Sequence, residues 1–245
     1  MGREETFQGK LMIIKSIQKQ TFIDYPGKSA CTLFISGCNF RCGFCHNPEL
    51  TYVGDKGISE EYVLRFLKKR RKYLDGVCIT GGEPLLTLDA EFVKKVKDMG
   101  YCIKLDTNGS MPKRLKWFIK NGLLDYVAMD IKSSKENYNM ITGSKVNINL
   151  IEESIALISQ LPSYEFRTTV IPSFHNIKEI VKIKDWLLKA SGKKKLISFY
   201  LQAFNARPGQ MNDKRFDKVQ PPSSELLNKM KDRIKNSFET CEIRD

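Results

Sequence analysis

The sequence predicts an α/β fold built on a parallel sheet. Short apolar runs bounded by turn residues alternate with longer stretches of helical period, and no internal repeat interrupts that alternation. Such alternation winds a parallel sheet with one hand. Every group of chemically capable residues also follows directly on an apolar run, and α/β barrels carry their sites at the C-terminal ends of their strands. With 245 residues, 41% of them hydrophobic, the chain can bury a substantial core. It reads as a single domain over residues 1–245, with a core at about 11–205 and a C-terminal loop and helix at 206–245.

Residues 1–10 are polar and expected to be disordered, and residues 11–23 alternate loosely, as one or two short strands would. The turn Asp24-Tyr25-Pro26-Gly27 precedes an apolar strand at 30–35, which ends in Ser36-Gly37-Cys38. Ser59 is placed to cap a helix running to about Arg71, with Val63, Phe66 and Leu67 forming its inner stripe. A strand at 77–80 runs into Gly81-Gly82-Glu83-Pro84, and a helix at 89–99 turns Phe92, Val93 and Val96 inward. The strand 101–105 ends in Asp106-Thr107-Asn108-Gly109, and Pro112 opens a helix at 112–121. The strand 126–129 ends in Asp130-Ile131-Lys132, and a loop containing Tyr138 and Thr142-Gly143-Ser144 follows. A helix at 149–160, a strand at 165–171, a helix at 177–190 and a strand at 196–202 complete the alternation. Residues 192–195 and 206–222 read as loops, and Pro221-Pro222 precedes a terminal helix at about 223–238. Six such strands are too few for a closed eight-stranded barrel.

The formal net charge is +13. Its basic runs, Lys68-Lys69-Arg70-Arg71-Lys72, Lys193-Lys194-Lys195 and 229–235, fall at helix ends and outer faces. They read as solvated surface, although such a field would also suit nucleic acid or an acidic partner. No apolar run approaches the length of a membrane span, and the charged N-terminus does not read as a signal peptide. A cytoplasmic location is expected. The seven cysteines do not suggest a disulfide framework. Cys31, Cys78 and Cys102 lie in apolar runs as small core residues, and Cys241 sits alone in a polar tail.

Cys38, Cys42 and Cys45 are spaced C-x3-C-x2-C directly after a strand. Three close thiolates can hold three irons of a [4Fe–4S] cluster and leave the fourth iron open to a small molecule. The alternative is a structural zinc site, which wants four nitrogen or sulfur ligands. His46, the nearby fourth donor, adjoins Cys45 and is badly placed to close a tetrahedron. Gly37 and Gly43 would let the backbone wrap closely around a bulky core.

The C-x3-C-x2-C spacing, with the aromatic Phe44 before the third cysteine, resembles the signature of the radical S-adenosylmethionine (SAM) superfamily. The wider string Ile23-Asp24-Tyr25-Pro26-Gly27-Lys28, with Cys45-His46-Asn47-Pro48-Glu49, resembles the glycyl-radical-enzyme activases. Within them it is most similar to the activating proteins of anaerobic ribonucleoside-triphosphate reductase, with pyruvate formate-lyase activating enzyme as a neighbour. The similarity runs from about Ile13 to about Gln202. It implies an open (β/α)6 partial TIM barrel holding one cluster on Cys38, Cys42 and Cys45. Gly81-Gly82-Glu83-Pro84 resembles the GGEP motif, which implies that it holds the SAM amino group by backbone carbonyls and the Glu83 carboxylate. Asp106-Thr107-Asn108 and Asp130-Ile131-Lys132 resemble the next two strand-end motifs. Asp106, Thr107, Asp130 and Lys132 are thereby expected around the methionyl and ribose portion, with a small monovalent cation beside the SAM carboxylate. Arg167 to Pro172, which includes Thr169, and Tyr200 to Gln202 are expected on the ribose or adenine side. Some relatives carry a histidine near that last segment; here Gln202 stands in for it.

The resemblance also implies radical chemistry. One electron from flavodoxin or ferredoxin reduces the cluster, SAM is cleaved to methionine and a 5′-deoxyadenosyl radical, and that radical abstracts hydrogen from a target. For an activase the target is a glycine Cα in the C-terminal loop of a glycyl radical enzyme, here anaerobic ribonucleotide reductase. Such an oxidoreductase suits an oxygen-poor cytoplasm. The +13 charge supports a second reading, radical SAM modification of tRNA or another nucleic acid. A zinc- or cluster-stapled nucleic-acid-binding module is a third. Of the two histidines, His46 is placed for a polar contact beside the cluster, and His175 reads as an ordinary loop residue.

Overall fold

The computed structural model describes residues 11–54 and 56–244. Residues 1–10, expected to be disordered, lie outside the described residues. Among the described residues eight strands form one sheet whose spatial order follows the chain: β1 (Ile14–Thr21), β2 (Ala30–Ile35), β3 (Gly76–Gly81), β4 (Cys102–Thr107), β5 (Tyr126–Asp130), β6 (Tyr164–Val170), β7 (Leu196–Ala203) and β8 (Phe238–Arg244). β1 pairs antiparallel with β2, and every later neighbour is parallel. The expected six parallel strands are therefore β2–β7, with one further strand at each edge.

Among the described residues seven α-helices accompany the sheet: α1 (Glu60–Arg70), α2 (Ala90–Asp98), α3 (Pro112–Lys120), α4 (Tyr138–Thr142), α5 (Ile148–Ile158), α6 (Ile177–Ser191) and α7 (Ser224–Ile234). Their starts follow local chemistry. The Ser59 hydroxyl accepts from Tyr62 N–H, Asp89 caps α2 through Phe92 N–H, and Asn176 caps α6 through Glu179 N–H. The α2 stripe of Phe92, Val93 and Val96 is fully buried, as the helical period requires. The central strands bury apolar side chains such as Val77, Ile79, Ile103, Leu105, Val127 and Phe166, while Lys104, Asp106, Glu165 and Arg167 on β4 and β6 put charge on the inward face.

Two expectations are corrected. The segment around Tyr138, read as loop, contains the short helix α4. The terminal helix stops at Ile234, and the chain then forms β8 alongside β7. Phe238 stacks on Phe199 with ring centroids 5.0 Å apart, and Cys241 is buried opposite Phe199 rather than loose in a tail. Residues 206–222, read as a loop, are irregular apart from a 3-10 turn at Lys214–Lys218, and they pack on the cysteine loop. Asp213 N–H donates to Gly43 O (2.9 Å), and Phe216 packs on Phe44, Phe174 and Phe204.

Candidate active site

The C-terminal ends of β2 to β7 open into one cavity of about 290 Å³, the size range of a small-molecule site. β2 delivers the chain to the cysteine loop at its mouth. That loop is fixed on three sides. Gly37 N–H donates to Leu50 O and Cys38 N–H to Thr51 O, at 2.8 and 3.0 Å. Asn39 joins it to the end of β4, donating to Ser110 Oγ (2.8 Å) and accepting from Asn108 Nδ2 (2.9 Å). Arg41 N–H donates to Thr142 O (2.9 Å), which ties the loop to α4.

Glycine makes this arrangement possible at the end of β3. A Cβ on Gly82 would stand 2.1 Å from Gly37 O and 2.7 Å from Leu50 O, so two backbones meet there with no side chain between them. Glu83 N–H donates to Gly37 O (2.8 Å), completing the junction.

Cys38, Cys42 and Cys45 all line the cavity, and Phe44 lines it beside them. Burial pushes the Cys38 thiol up to about 11 and Cys42 up to about 12, and raises Cys45 as well. The Lys132 ammonium opposes the rise at each of the three. A buried thiol becomes a thiolate when a metal centre supplies positive charge, and coordination deprotonates it outright. Three such thiols in an apolar shell of Phe40, Phe44 and Phe204 fit the ligand set of a [4Fe–4S] cluster. His46, the candidate fourth donor of a zinc tetrahedron, lines the cavity with one of its two ring nitrogens already engaged. Its ring lies stacked on Phe204 at 5.4 Å, and its Nε2 is engaged with Asn205 O at 2.9 Å.

Behind the loop, charged side chains point inward from successive strands. Arg167 bridges two carboxylates, with Nε 2.9 Å from Asp130 and Nη1 3.3 Å from Asp106. Lys132 meets Asp130 at 2.9 Å, Lys104 pairs with Asp106, and Thr80 donates to Asp106 at 3.2 Å. Burial alone would raise the Asp130 carboxyl, but the Arg167 and Lys132 charges outweigh it and hold it well below the carboxylate range. Asp106 is lowered in the same way by Arg167 and Lys104. Glu165 links Arg167 (3.6 Å) to Arg244 on β8, whose two terminal nitrogens reach it at 2.8 Å. Lys104, Lys132, Arg167 and Arg244 thus face Asp106, Asp130 and Glu165. Four cations to three carboxylates leaves one positive charge unmatched within the network.

Of the residues expected from sequence, Gly81, Gly82, Asp106, Thr107, Asn108, Asp130, Lys132, Thr169 and Gln202 line the same cavity as the cysteines. Glu83 and Pro84 do not. Glu83 lies wholly buried behind the wall and accepts from Leu85 N–H (3.1 Å), Thr107 Oγ1 (2.9 Å) and Asn108 N–H (2.6 Å). It braces the end of β3 against the end of β4. His175 is no ordinary loop residue: it is buried, its Nδ1 accepts from Ile171 N–H (3.0 Å), and its Nε2 faces Lys132 O (3.0 Å).

Sequence reading missed Lys104, Glu165 and Arg244. The first two carried a signal. Lys104 precedes Asp106 by two residues on β4, and Glu165 stands likewise before Arg167 on β6, so each shares a face with a residue already singled out.

Comparison with known proteins follows the same lines. Residues 32–187 match the model of the Radical SAM superfamily. Over 243 residues, 95% of each chain, the sequence is 30% identical to a protein of Methanocaldococcus jannaschii assigned as a glycyl-radical enzyme activating enzyme. The chain belongs to the radical SAM superfamily, in its glycyl-radical-enzyme activase family. This radical SAM enzyme is also 33% identical over 138 residues to the pyruvate formate-lyase-activating enzyme of Clostridium pasteurianum, covering 53% of this chain and 57% of that one. Among solved structures, a domain of the pyruvate-formate lyase-activating enzyme of Bacteroides vulgatus superposes with a TM-score of 0.53 at 22% identity, over 69% of this chain and 99% of that one. SuiB of Streptococcus suis gives 0.61 at 14% identity over 84% of this chain. The chain spans about half of SuiB, 47% of its length. These superpositions show the partial-barrel fold.

Proposed function

We propose that this radical SAM enzyme generates a glycyl radical on a partner enzyme, with the C-terminal glycine loop of an anaerobic ribonucleotide reductase as the target. The observation that carries the reading is the meeting of three thiols and an inward ion network in one cavity. Cys38, Cys42 and Cys45 would hold the [4Fe–4S] cluster. When bound, the cluster supplies the electron that splits the SAM sulfonium bond into methionine and a 5′-deoxyadenosyl radical.

The chain's own residues would bind and orient SAM. Gly81 and Gly82 line the cavity, and their backbone carbonyls would meet the ammonium. The unmatched positive charge of the ion network suits the SAM carboxylate. The carboxylates expected to hold a small cation there, Asp106 and Asp130, are joined by Arg167. Thr169 and Gln202, on β6 and β7, would face the ribose and adenine. The aromatic shell around Phe44 excludes water, which protects a reactive carbon radical.

The electron would come from flavodoxin or ferredoxin, in an oxygen-poor cytoplasm. Among the described residues no helix is long and apolar enough to cross a membrane. The basic runs that kept a nucleic-acid substrate in view lie on α1, on α7 and between α6 and β7, and Lys229, Lys231 and Lys235 each pair with a nearby carboxylate.

The test is anaerobic reconstitution with iron and sulfide, reduction by dithionite, and measurement of 5′-deoxyadenosine formed from SAM. The wild type forms it, and Cys38→Ala, Cys42→Ala and Cys45→Ala each abolish it. A reconstituted wild type that leaves SAM intact would overturn the reading. Cleavage of SAM with salt-sensitive RNA binding and no glycyl radical on any reductase would move the substrate to nucleic acid.

A further inference from the structure

The cysteine loop separates two cavities. Cys42 faces the inner one, while its chain neighbours Arg41 and Gly43 line an outer groove of about 980 Å³. The two cavities share no lining residue. The outer groove runs between α4, which contributes Met140 and Ile141, and the segment after β7, which contributes Lys214 and Phe216. One turn of backbone therefore stands between this groove and a cluster ligand.

Building on the radical SAM reading above, we propose that the outer groove is the docking surface for a small acidic one-electron carrier protein of the flavodoxin or ferredoxin type. Three observations converge on that occupant. The first is position. The exposed Arg41 guanidinium donates through Nη1 to Cys38 O (2.6 Å) and Phe40 O (2.8 Å), so a hydrogen-bonded link joins the groove to the peptide of a cluster ligand. An electron arriving here crosses the loop with no bond made or broken and no proton moved. The donor's reduced centre is oxidised by one electron, and the cluster site gains it.

The second observation is the character of the rim. Met140, on the rim, is 62% exposed, and outside the groove the Arg41 guanidinium carbon lies 4.8 Å from the ring centroid of Tyr52, which is 64% exposed. Exposed methionine and arginine around a floor of Ile141, Phe174 and Phe216, with a tyrosine beside them, are the composition of a protein interface. The third is charge. Arg215 is paired with Asp213, whereas neither Arg41 nor Lys214 has a carboxylate partner among the described residues. The groove is therefore positive in a chain of net charge +13, which would steer an acidic carrier toward the loop.

The test uses the full reconstituted enzyme, with photoreduced flavodoxin as donor and dithionite as a reductant that needs no docking. Met140→Glu and Lys214→Glu alter only the exposed rim. Each is expected to slow flavodoxin-driven reduction about tenfold, and Lys214→Glu to flatten its salt dependence as well. Dithionite-driven 5′-deoxyadenosine formation stays at the wild-type rate in both. Unchanged flavodoxin kinetics in both variants would overturn the proposal. So would normal flavodoxin kinetics with lost glycyl radical yield under dithionite, which would assign the groove to the radical-accepting enzyme. Absence of dithionite-driven cleavage in the wild type would instead overturn the underlying reading, and this one with it.

Discussion

Arg244, on the last strand, places both terminal nitrogens 2.8 Å from the two carboxylate oxygens of Glu165, which is fully buried on β6. The contact joins the C-terminal edge of the sheet to the ion network of the site, because Glu165 also faces Arg167 at 3.6 Å. Removing one partner of a buried pair leaves the other charge uncompensated. Arg244→Ala should therefore lower stability by about 3 kcal/mol, read as a fall in the urea midpoint at constant slope. An unchanged midpoint would show that Arg167 and the Tyr126 hydroxyl, which donates to Glu165 at 3.0 Å, suffice to hold it.

Gly82 gives a sharper test of the cysteine loop. No Cβ fits 2.1 Å from Gly37 O, so Gly82→Ala must push the loop outward. The expected result is loss of iron after reconstitution, measured as iron bound per chain. Gly54→Ala, where the nearest atom to a new Cβ is Lys15 Nζ at 3.6 Å, should keep its iron.

His175 predicts a pH dependence. Burial lowers its pKa from the ordinary 6.5, and its Nδ1 already accepts from Ile171 N–H, so the proton belongs on Nε2, facing Lys132 O. A histidine lowered in the folded state contributes stability that is present above about 6.5 and lost as pH falls below it. His175→Ala should cost on the order of 2 kcal/mol at pH 8, since it strands a buried N–H and a carbonyl. That deficit should shrink by pH 5.5, where the wild type has lost its own advantage. Urea midpoints at the two pH values check this, and a constant deficit would contradict it.

Arg167 is expected to matter for SAM as well as for the fold, since it faces the buried carboxylates of Asp106, Asp130 and Glu165. Its guanidinium bridges Asp106 and Asp130 at the cavity wall, and charge-assisted hydrogen bonds of this kind are the strong ones. Arg167→Ala should weaken SAM binding roughly 10- to 100-fold, in keeping with a charged contact of about 1.5–3 kcal/mol. Calorimetry on the reconstituted protein would measure it.

Much of this site was legible because its residues lie in short contiguous motifs at strand ends. Cys38, Asp106 and Asp130 follow apolar runs directly, and parallel strands bring such ends together. What stayed hidden depended on distant packing. Lys104 is a charge in mid-strand, which a hydrophobicity pattern reads as exposed, yet the interior carboxylate of Asp106 holds it there. β8 was masked because α7 precedes it closely and Phe238-Glu239-Thr240-Cys241 carries too few apolar residues to stand out. Arg244 was lost with it. Glu83 was recognised as part of a motif, but its hydrogen bonds to Thr107 and Asn108 turn it into the wall rather than the cavity. No spacing rule contains that direction.

The central claim, a glycyl radical made on another protein, has one direct measurement. The anaerobically reconstituted enzyme, reduced and supplied with SAM, would be incubated with the glycyl-radical-type ribonucleotide reductase of the same organism. Electron paramagnetic resonance would then be recorded, and 5′-deoxyadenosine quantified. The account predicts the doublet of a glycyl radical, growing in proportion to 5′-deoxyadenosine and absent with Cys42→Ala. Production of 5′-deoxyadenosine with no doublet on that reductase would contradict it.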